Sequence, residues 1–240
     1  MNKKYKMTNM LNSPCVCAKI TYMQEYDILM FDLDGTLTEP AEGITNSVMY
    51  ALKKFGIEPP ERRELYKFIG PPLIQSFEEF YGFSRDKAKL AVKYYREYFA
   101  EKGIFENRVY DGIFELLTKL KEHGKRLIVA TSKPQQFAER ILKKFNLYCF
   151  FEYVCGATMD ETRTKKSEVI EYILKQLNVS DRSRIVMVGD REHDILGAAK
   201  NGVDSIGVLY GYGSRKELES AEATYIAGTV EDLSGILCKK

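Results

Sequence analysis

Two aspartates separated by one residue, Asp32 and Asp34, follow directly after the apolar run ILMF at 28–31. Such a run predicts a buried strand. Two carboxylates at the end of a strand repel each other and need solvent or a cation nearby. The pair therefore predicts a site in which another group neutralises these charges.

Further groups that could do chemistry stand at the ends of later strand-like runs. One run ends in Thr131 and Ser132, ahead of Pro134, which is typical of the first turn of a helix. The N–H groups at the start of a helix favour an anion. Another run ends in Asp190, with Asp194 four residues further on.

The carboxyl ends of parallel strands meet at one edge of a sheet, and ligands bind there. Lys165 and Lys166 stand just before a predicted helix that begins near the same edge. The three acids at strand ends (Asp32, Asp34 and Asp190), two hydroxyls and a lysine together are the set of groups that a Mg²⁺-assisted phosphoryl-transfer site uses.

The elements that must position these residues alternate between strand-like and helix-like patterns. Apolar runs rich in β-branched residues occur at 27–31, 126–130, 151–155, 185–189 and 205–209. Amphipathic segments of helical period lie between the later runs. This alternation predicts a doubly wound parallel sheet, that is, an α/β fold with both faces of the sheet covered.

The stretch from about 41 to 107 differs, because it has helical periodicity and no strand-like run. Prolines punctuate it at Pro59, Pro60, Pro71 and Pro72. It predicts an all-helical unit inserted after the first strand. A further helix then resumes behind a cap at Asp111 and ends near Gly124.

Four motifs in this order resemble those of the haloacid dehalogenase superfamily of phosphohydrolases: DLDGT, LIVATSK, the lysine of RTKKSEVI, and VGDREHD. The similarity covers roughly residues 26–235. The segments FIGPPL and GVLYGYGS are most similar to the phosphoglycolate phosphatase and 5′-nucleotidase-like branch.

The resemblance implies a Rossmann-like catalytic core with a small helical cap domain of type 1. We expect the core at 26–40 and 108–240, the cap at 41–107, and a polar, disordered leader at 1–25.

The resemblance also implies a role for each acid. Asp32 would be the nucleophile that forms an aspartyl phosphate. Mg²⁺ would bind to Asp32, the backbone carbonyl of Asp34 and Asp190, while Asp194 orients magnesium-bound water. Asp34 would protonate the leaving oxygen and later deprotonate the attacking water.

Phosphate contacts are expected from Thr131, Ser132, a lysine and the backbone at Gly35, and the cap would contribute Gly70 and Pro71. The usual family pattern has a proline after the lysine, which this chain lacks. We favour Lys166 over Lys165, because its spacing to the apolar positions of the following helix fits better.

Some of these residues have structural alternatives. Thr131 and Ser132 could cap a helix, and Asp194 could complement a helix dipole. His193 is expected to face solvent or to pack. The tyrosines of AVKYYREYFA could stack on a nucleobase, although their spacing favours core packing.

Composition excludes several classes of protein. The 36 basic and 34 acidic residues are well mixed, with a net charge of +2, so no basic footprint for nucleic acid is present. No window approaches the roughly 18 apolar residues of a membrane span, which favours the cytoplasm. The five scattered cysteines are expected to be reduced thiols.

The sequence therefore predicts a Mg²⁺-dependent phosphomonoesterase, monomeric or homodimeric, acting on a small phosphorylated metabolite. A phosphoglycolate-like acid is the first substrate class, and a nucleoside 5′-monophosphate is the alternative. A sugar phosphomutase and a catalytically silent binding module are further alternatives, and phosphate release would exclude the last.

Overall fold

The structure is a computed structural model that describes residues 24–159, 162–179 and 181–238. The predicted apolar runs form strands in it. Strands β1 to β8 are Ile28–Phe31, Thr38–Glu39, Arg108–Val109, Arg126–Pro134, Tyr153–Ala157, Ile185–Gly189, Asp204–Val208 and Tyr225–Ala227. Helices α1 to α9 are Ala41–Lys54, Leu73–Tyr81, Arg85–Tyr98, Ile113–Glu122, Gln135–Lys144, Lys166–Leu177, Glu192–Lys200, Arg215–Ser220 and Val230–Leu237.

Six of the strands form one parallel sheet in the order β5-β4-β1-β6-β7-β8. Successive side chains of a strand point to opposite faces. Leu29 and Phe31 accordingly pack in one large core cluster, and Ile28 and Met30 pack in a second cluster with α6. The predicted doubly wound α/β fold is confirmed.

Several details differ from the sequence prediction; among them, the two-residue strands β2 and β3 were not predicted, and β4 continues to Pro134. β5 begins at Tyr153 rather than 151, because Tyr148–Phe150 forms a 3-10 turn ahead of it. β8 was not predicted, since three residues are too short a run to stand out. The N-cap of α4 is Gly112, with a left-handed φ of +82°, and not Asp111.

The segment between β2 and β3 is helical, as its periodicity predicts. It contains α1, α2 and α3, a 3-10 helix at Arg62–Phe68 and a π-helix at Phe99–Gly103. β2 and β3 pair with each other in antiparallel fashion where the chain leaves and re-enters the main sheet. We call residues 41–103 the helical segment.

The predicted leader at 1–25 lies outside the described residues except for its last two positions. Cys149, Cys155 and Cys238 are free thiols, and Cys15 and Cys17 belong to the part not described. Among the described helices, none has both the length and the apolar character that a bilayer crossing requires.

Candidate active site

The chemistry-bearing residues meet at the carboxyl edge of the sheet. Phe31, the last residue of β1, pairs with Val129 of β4 and Val188 of β6. Asp32 and Asp190 follow their strands directly and so lie side by side at the edge. This register is the reason why motifs far apart in the sequence share one site.

Three of the acids form a tight cluster. Asp32, Asp190 and Asp194 each place a carboxylate oxygen within 4.8 Å of the others, and all three are buried. Burial raises the pKa of Asp190 well above its usual range, and the charges of Asp194 and Asp32 raise it further. Negative groups packed in this way need a cation.

Asp190 supplies the observation that tests a metal site. Its Oδ2 accepts a hydrogen bond of 2.8 Å from the backbone N–H of Tyr212. Its Oδ1 is buried and has no hydrogen-bond partner in the described part of the chain. A buried carboxylate oxygen left without a donor fits a hard divalent cation, and oxygen ligands are what Mg²⁺ prefers.

Gly35 stands where a side chain would collide with this cluster. Its φ is +85°, and a Cβ there would lie 2.2 Å from Oδ2 of Asp190. Glycine therefore serves both the left-handed turn and the close approach of the backbone to the acids.

Lys166 is the cation that the structure places among the acids. Its Nζ lies 2.8 Å from Oδ1 of Asp32 and 2.8 Å from Oδ1 of Asp194, and it donates to the carbonyl oxygen of Ala130. Burial alone would lower the pKa of Lys166, but the charges of Asp194 and Asp32 raise it above the usual value. Lys165 is the exposed N-cap residue of α6. We call Asp32, Asp190, Asp194 and Lys166 the acid edge.

The structure distinguishes between the alternative roles of Thr131, Ser132 and Asp194. Thr131 is buried and no side chain of the described residues caps α5, so neither Thr131 nor Ser132 caps that helix. Asp194 does serve its helix, because its Oδ2 accepts the backbone N–H of Arg191 at 3.1 Å, while its Oδ1 faces Lys166. Asp194 can therefore complement its helix and still take part in the predicted site.

The carboxylate of Asp34 points to a different partner. Lys133 places its Nζ 2.7 Å from Oδ2 of Asp34. Burial raises the pKa of Asp34, and the charge of Lys133 opposes that shift. The Asp34 side chain is not a member of the three-acid cluster, and coordination by its backbone carbonyl stays a prediction.

A cavity of about 240 Å³ extends from Asp34 between the sheet and the helical segment. Ser132, Lys133, Gly70 and Pro71 line it, so both predicted cap residues reach this space. Four aromatic rings form what we call the cavity wall: Phe68, Tyr95 and Phe99 from the helical segment and Phe137 from α5. Tyr95 is also buried and stacks on Phe99, so it packs and lines the cavity at once.

Two residues of this region were missed by sequence reasoning. Lys133 stands inside the motif LIVATSK, directly after the two hydroxyls, and that position was the available signal. Arg191 joins the acid edge to the helical segment, because its Nη1 donates to the carbonyl of Ile69 at 2.7 Å. No pattern in the sequence indicates that contact.

Comparison with known proteins agrees with this geometry. The family model of haloacid dehalogenase-like hydrolases matches residues 29–208. A 5′-nucleotidase of Pseudomonas aeruginosa is 46% identical over 212 residues, which cover 88% of this chain and 96% of the relative.

Two further relatives carry other names. The tyrosine-protein kinase PtkA of Mycobacterium tuberculosis is 38% identical over 208 residues, 86% of this chain and 70% of that protein. The crystal structure of a predicted phosphatase from Clostridium acetobutylicum has 48% identity and a TM-score of 0.86, covering 88% of this chain and 97% of that one.

Proposed function

The chain belongs to the haloacid dehalogenase-like hydrolase family and is a phosphatase, and we propose that it hydrolyses nucleoside 5′-monophosphates through an aspartyl phosphate on Asp32. The observation that carries the substrate class is the cavity with four aromatic rings that opens beside Asp34. A two-carbon acid such as phosphoglycolate would leave most of that space to water. A nucleoside would fill it and could pack its base against the rings.

In this proposal Asp32 attacks phosphorus and Asp34 transfers the protons. Thr131 and Lys166 hold the phosphoryl oxygens, because both are buried at the edge from which Asp32 reaches its substrate. Asp34 protonates the departing ester oxygen and afterwards takes a proton from the water that hydrolyses the acyl phosphate. The helical segment, within the predicted cap at 41–107, would close over the core and exclude bulk water.

The residues present fit a Mg²⁺ ion at the acid edge, held by Asp32 and Asp190 with the backbone carbonyl of Asp34. Asp194 would orient a water bound to the metal. When bound, the ion would neutralise the carboxylates and the phosphate so that Asp32 can approach phosphorus.

The test is phosphate release from a panel with Mg²⁺, in which nucleoside 5′-monophosphates, phosphoglycolate and a sugar phosphate are compared by kcat/KM. We expect the nucleotides to be the best substrates. A higher kcat/KM for phosphoglycolate would overturn the substrate class and leave the phosphatase intact. Isomerisation of the sugar phosphate without phosphate release would indicate a mutase, and no release from any compound would indicate a silent binding module.

Metal dependence needs a separate experiment. We expect activity to disappear after chelation and to return with Mg²⁺. Ca²⁺ should bind and inhibit, because it tolerates more ligands and looser geometry. Full activity after exhaustive chelation would remove the metal from the proposal.

A further inference from the structure

Lys133 is a buried cation for which the proposed reaction has no use. Its side chain is 6% exposed and that of Asp34 is 10% exposed. Burying two charges is unfavourable unless their contacts are good. The contact here is short, with 2.7 Å between Nζ of Lys133 and Oδ2 of Asp34.

The two carboxylate oxygens of Asp34 have different surroundings. Oδ2 is held by Lys133, whereas Oδ1 is buried without a hydrogen-bond partner among the residues that the structure describes. A carboxyl group with one oxygen held cannot rotate freely, so its other oxygen keeps one direction. Oδ1 is thus the oxygen whose hydrogen-bonding capacity is not used within the described part of the chain.

Lys133 is itself held in place by the irregular end of β4. The register between β4 and β5 shifts between Ala130 and Pro134. Within this irregular stretch, the backbone N–H of Lys133 donates to Oγ1 of Thr131 at 3.2 Å. The lysine therefore has a fixed backbone next to a proposed phosphate contact.

The helical segment covers the pair from the other side. The ring of Phe99 lies with its centroid 4.5 Å from Nζ of Lys133, a cation–π distance. Phe99 is buried, stacks on Tyr95 at 5.4 Å and meets Phe137 edge-on at 5.5 Å. It is also the first residue of a π-helix, a rare form that is frequent at functional sites.

We propose that Lys133 is a positioning residue for proton transfer: its ammonium holds Oδ2 of Asp34 so that Oδ1 faces the leaving oxygen, and Phe99 shields the pair from water. This inference rests on the proposed function, since it gives Asp34 the proton. The proton on Oδ1 passes to the ester oxygen as the P–O bond breaks. Oδ1 later receives a proton from the attacking water, and Lys133 keeps its own protons throughout.

The test is Lys133→Met with two kinds of substrate, a nucleoside 5′-monophosphate and 4-nitrophenyl phosphate. An alkyl leaving group needs a proton and a nitrophenolate does not, so kcat for the nucleotide should fall about 10²-fold. The burst of nitrophenolate should stay within about threefold of the wild-type burst, because this step does not require the acid. Lys143→Met is the matched control, since Lys143 also lies over a ring, that of Tyr148, but is exposed on α5.

A double-mutant cycle connects the lysine to its partner. Asp34→Asn should show the same dependence on the leaving group, and adding Lys133→Met to it should cost less than about twofold more. Lys133→Gln keeps a donor and should recover part of the nucleotide activity, which also covers the case in which Lys133→Met does not fold. Phe99→Leu should give a smaller loss with the same preference for the aryl ester.

Equal losses of the phosphorylation rate with both substrates, or a raised KM with unchanged kcat, would overturn the proposal, because Lys133 would then be structural or would bind substrate. Additive losses in the double mutant would overturn it as well. Failure of the proposed function is a different result, in which the wild-type enzyme releases neither phosphate nor a nitrophenolate burst.

Discussion

The acid edge and the cavity wall lie next to each other but are built on different physical grounds. The acid edge consists of buried charged groups, in which Lys166 pairs with two of the three carboxylates at 2.8 Å. The cavity wall consists of rings in edge-on and stacked contact, such as Phe99 with Phe137 and Tyr95. Removing one member of a buried charge cluster leaves its partner unpaired and is strongly unfavourable, whereas a packed apolar surface tolerates volume-conserving exchange.

The difference implies that the two regions have separate functions. The edge should determine whether any phosphate ester reacts, and the wall should determine which ester reacts well. Lys133 belongs to both regions, because it contacts Asp34 with its charge and Phe99 through the ring face. Substitutions in either region test whether the two functions are separate.

The largest effect is expected for Asp32→Asn, which removes the proposed nucleophile. Activity should fall by at least about 10⁴-fold with every substrate, alkyl or aryl. Asp27→Asn is the control, because Asp27 precedes the same strand but pairs with Arg184 at the surface. Residual activity above about 1% in Asp32→Asn would show that the edge does not carry the chemistry.

The next largest effect separates two adjacent lysines. Lys166→Met should lower kcat by about 10² to 10³-fold, since it removes a cation from the transferring phosphoryl group. Lys165→Met should lower it less than about tenfold, because Lys165 is exposed although it lines the cavity. Equal losses, or a larger loss at Lys165, would reverse the assignment.

The sequence predicted the acid edge better than the wall for a physical reason. Parallel strands bring their carboxyl ends together, so Asp32, Thr131 and Asp190 could be placed by chain order alone. The wall depends on which way each helix faces. The rings of Phe68 and Phe137 come from elements about 70 residues apart, and helical period alone makes both of them ordinary core positions.

Contacts that depend on irregular backbone could not be predicted from the sequence for the same reason. Lys133 enters the cavity through a register shift at the end of β4, and Arg191 reaches the carbonyl of Ile69 on the helical segment. A short sequence motif predicts neither the position of Lys133 nor the contact of Arg191. The domain boundaries at 40/41 and 107/108 and the role of the leader also stay predictions.

A smaller effect is expected at the loop before α2. Gly70 has a φ of +102°, and a Cβ there would lie 3.1 Å from Cγ of Arg191. Gly70→Ala should therefore move the loop and change the ratio of kcat/KM between a nucleotide and phosphoglycolate by about tenfold. Gly82→Ala is the matched control, because Gly82 also has positive φ but a Cβ there meets no atom of the described residues within 4 Å.

The control separates backbone strain from the contact with Arg191. If Gly82→Ala changes the ratio as much as Gly70→Ala, the effect is general loosening of the helical segment. If Gly70→Ala depresses all substrates by the same factor, the loop is a hinge or a structural element.

The smallest effect tests the wall itself. Phe137→Leu keeps an apolar side chain but removes a ring that lines the cavity and meets Phe99. An aromatic contact contributes about 0.5 to 1.5 kcal/mol beyond the area it buries, so kcat/KM for a nucleoside monophosphate should fall about fivefold. Phosphoglycolate has no nucleobase that could contact this ring, so its kcat/KM should stay within about twofold of the wild-type value.

The control for this change is Phe55→Leu, at a ring that packs against Phe83 and Tyr94 and is not part of the cavity wall. It should leave the ratio between the two substrates unchanged. Parallel losses for both substrates in Phe137→Leu would mean that this ring holds the fold of the site rather than the substrate. The acid edge and the cavity wall would then depend on each other for their structure. Substrate specificity would have to come from the cations that line the cavity, Lys133 and Lys165 among them.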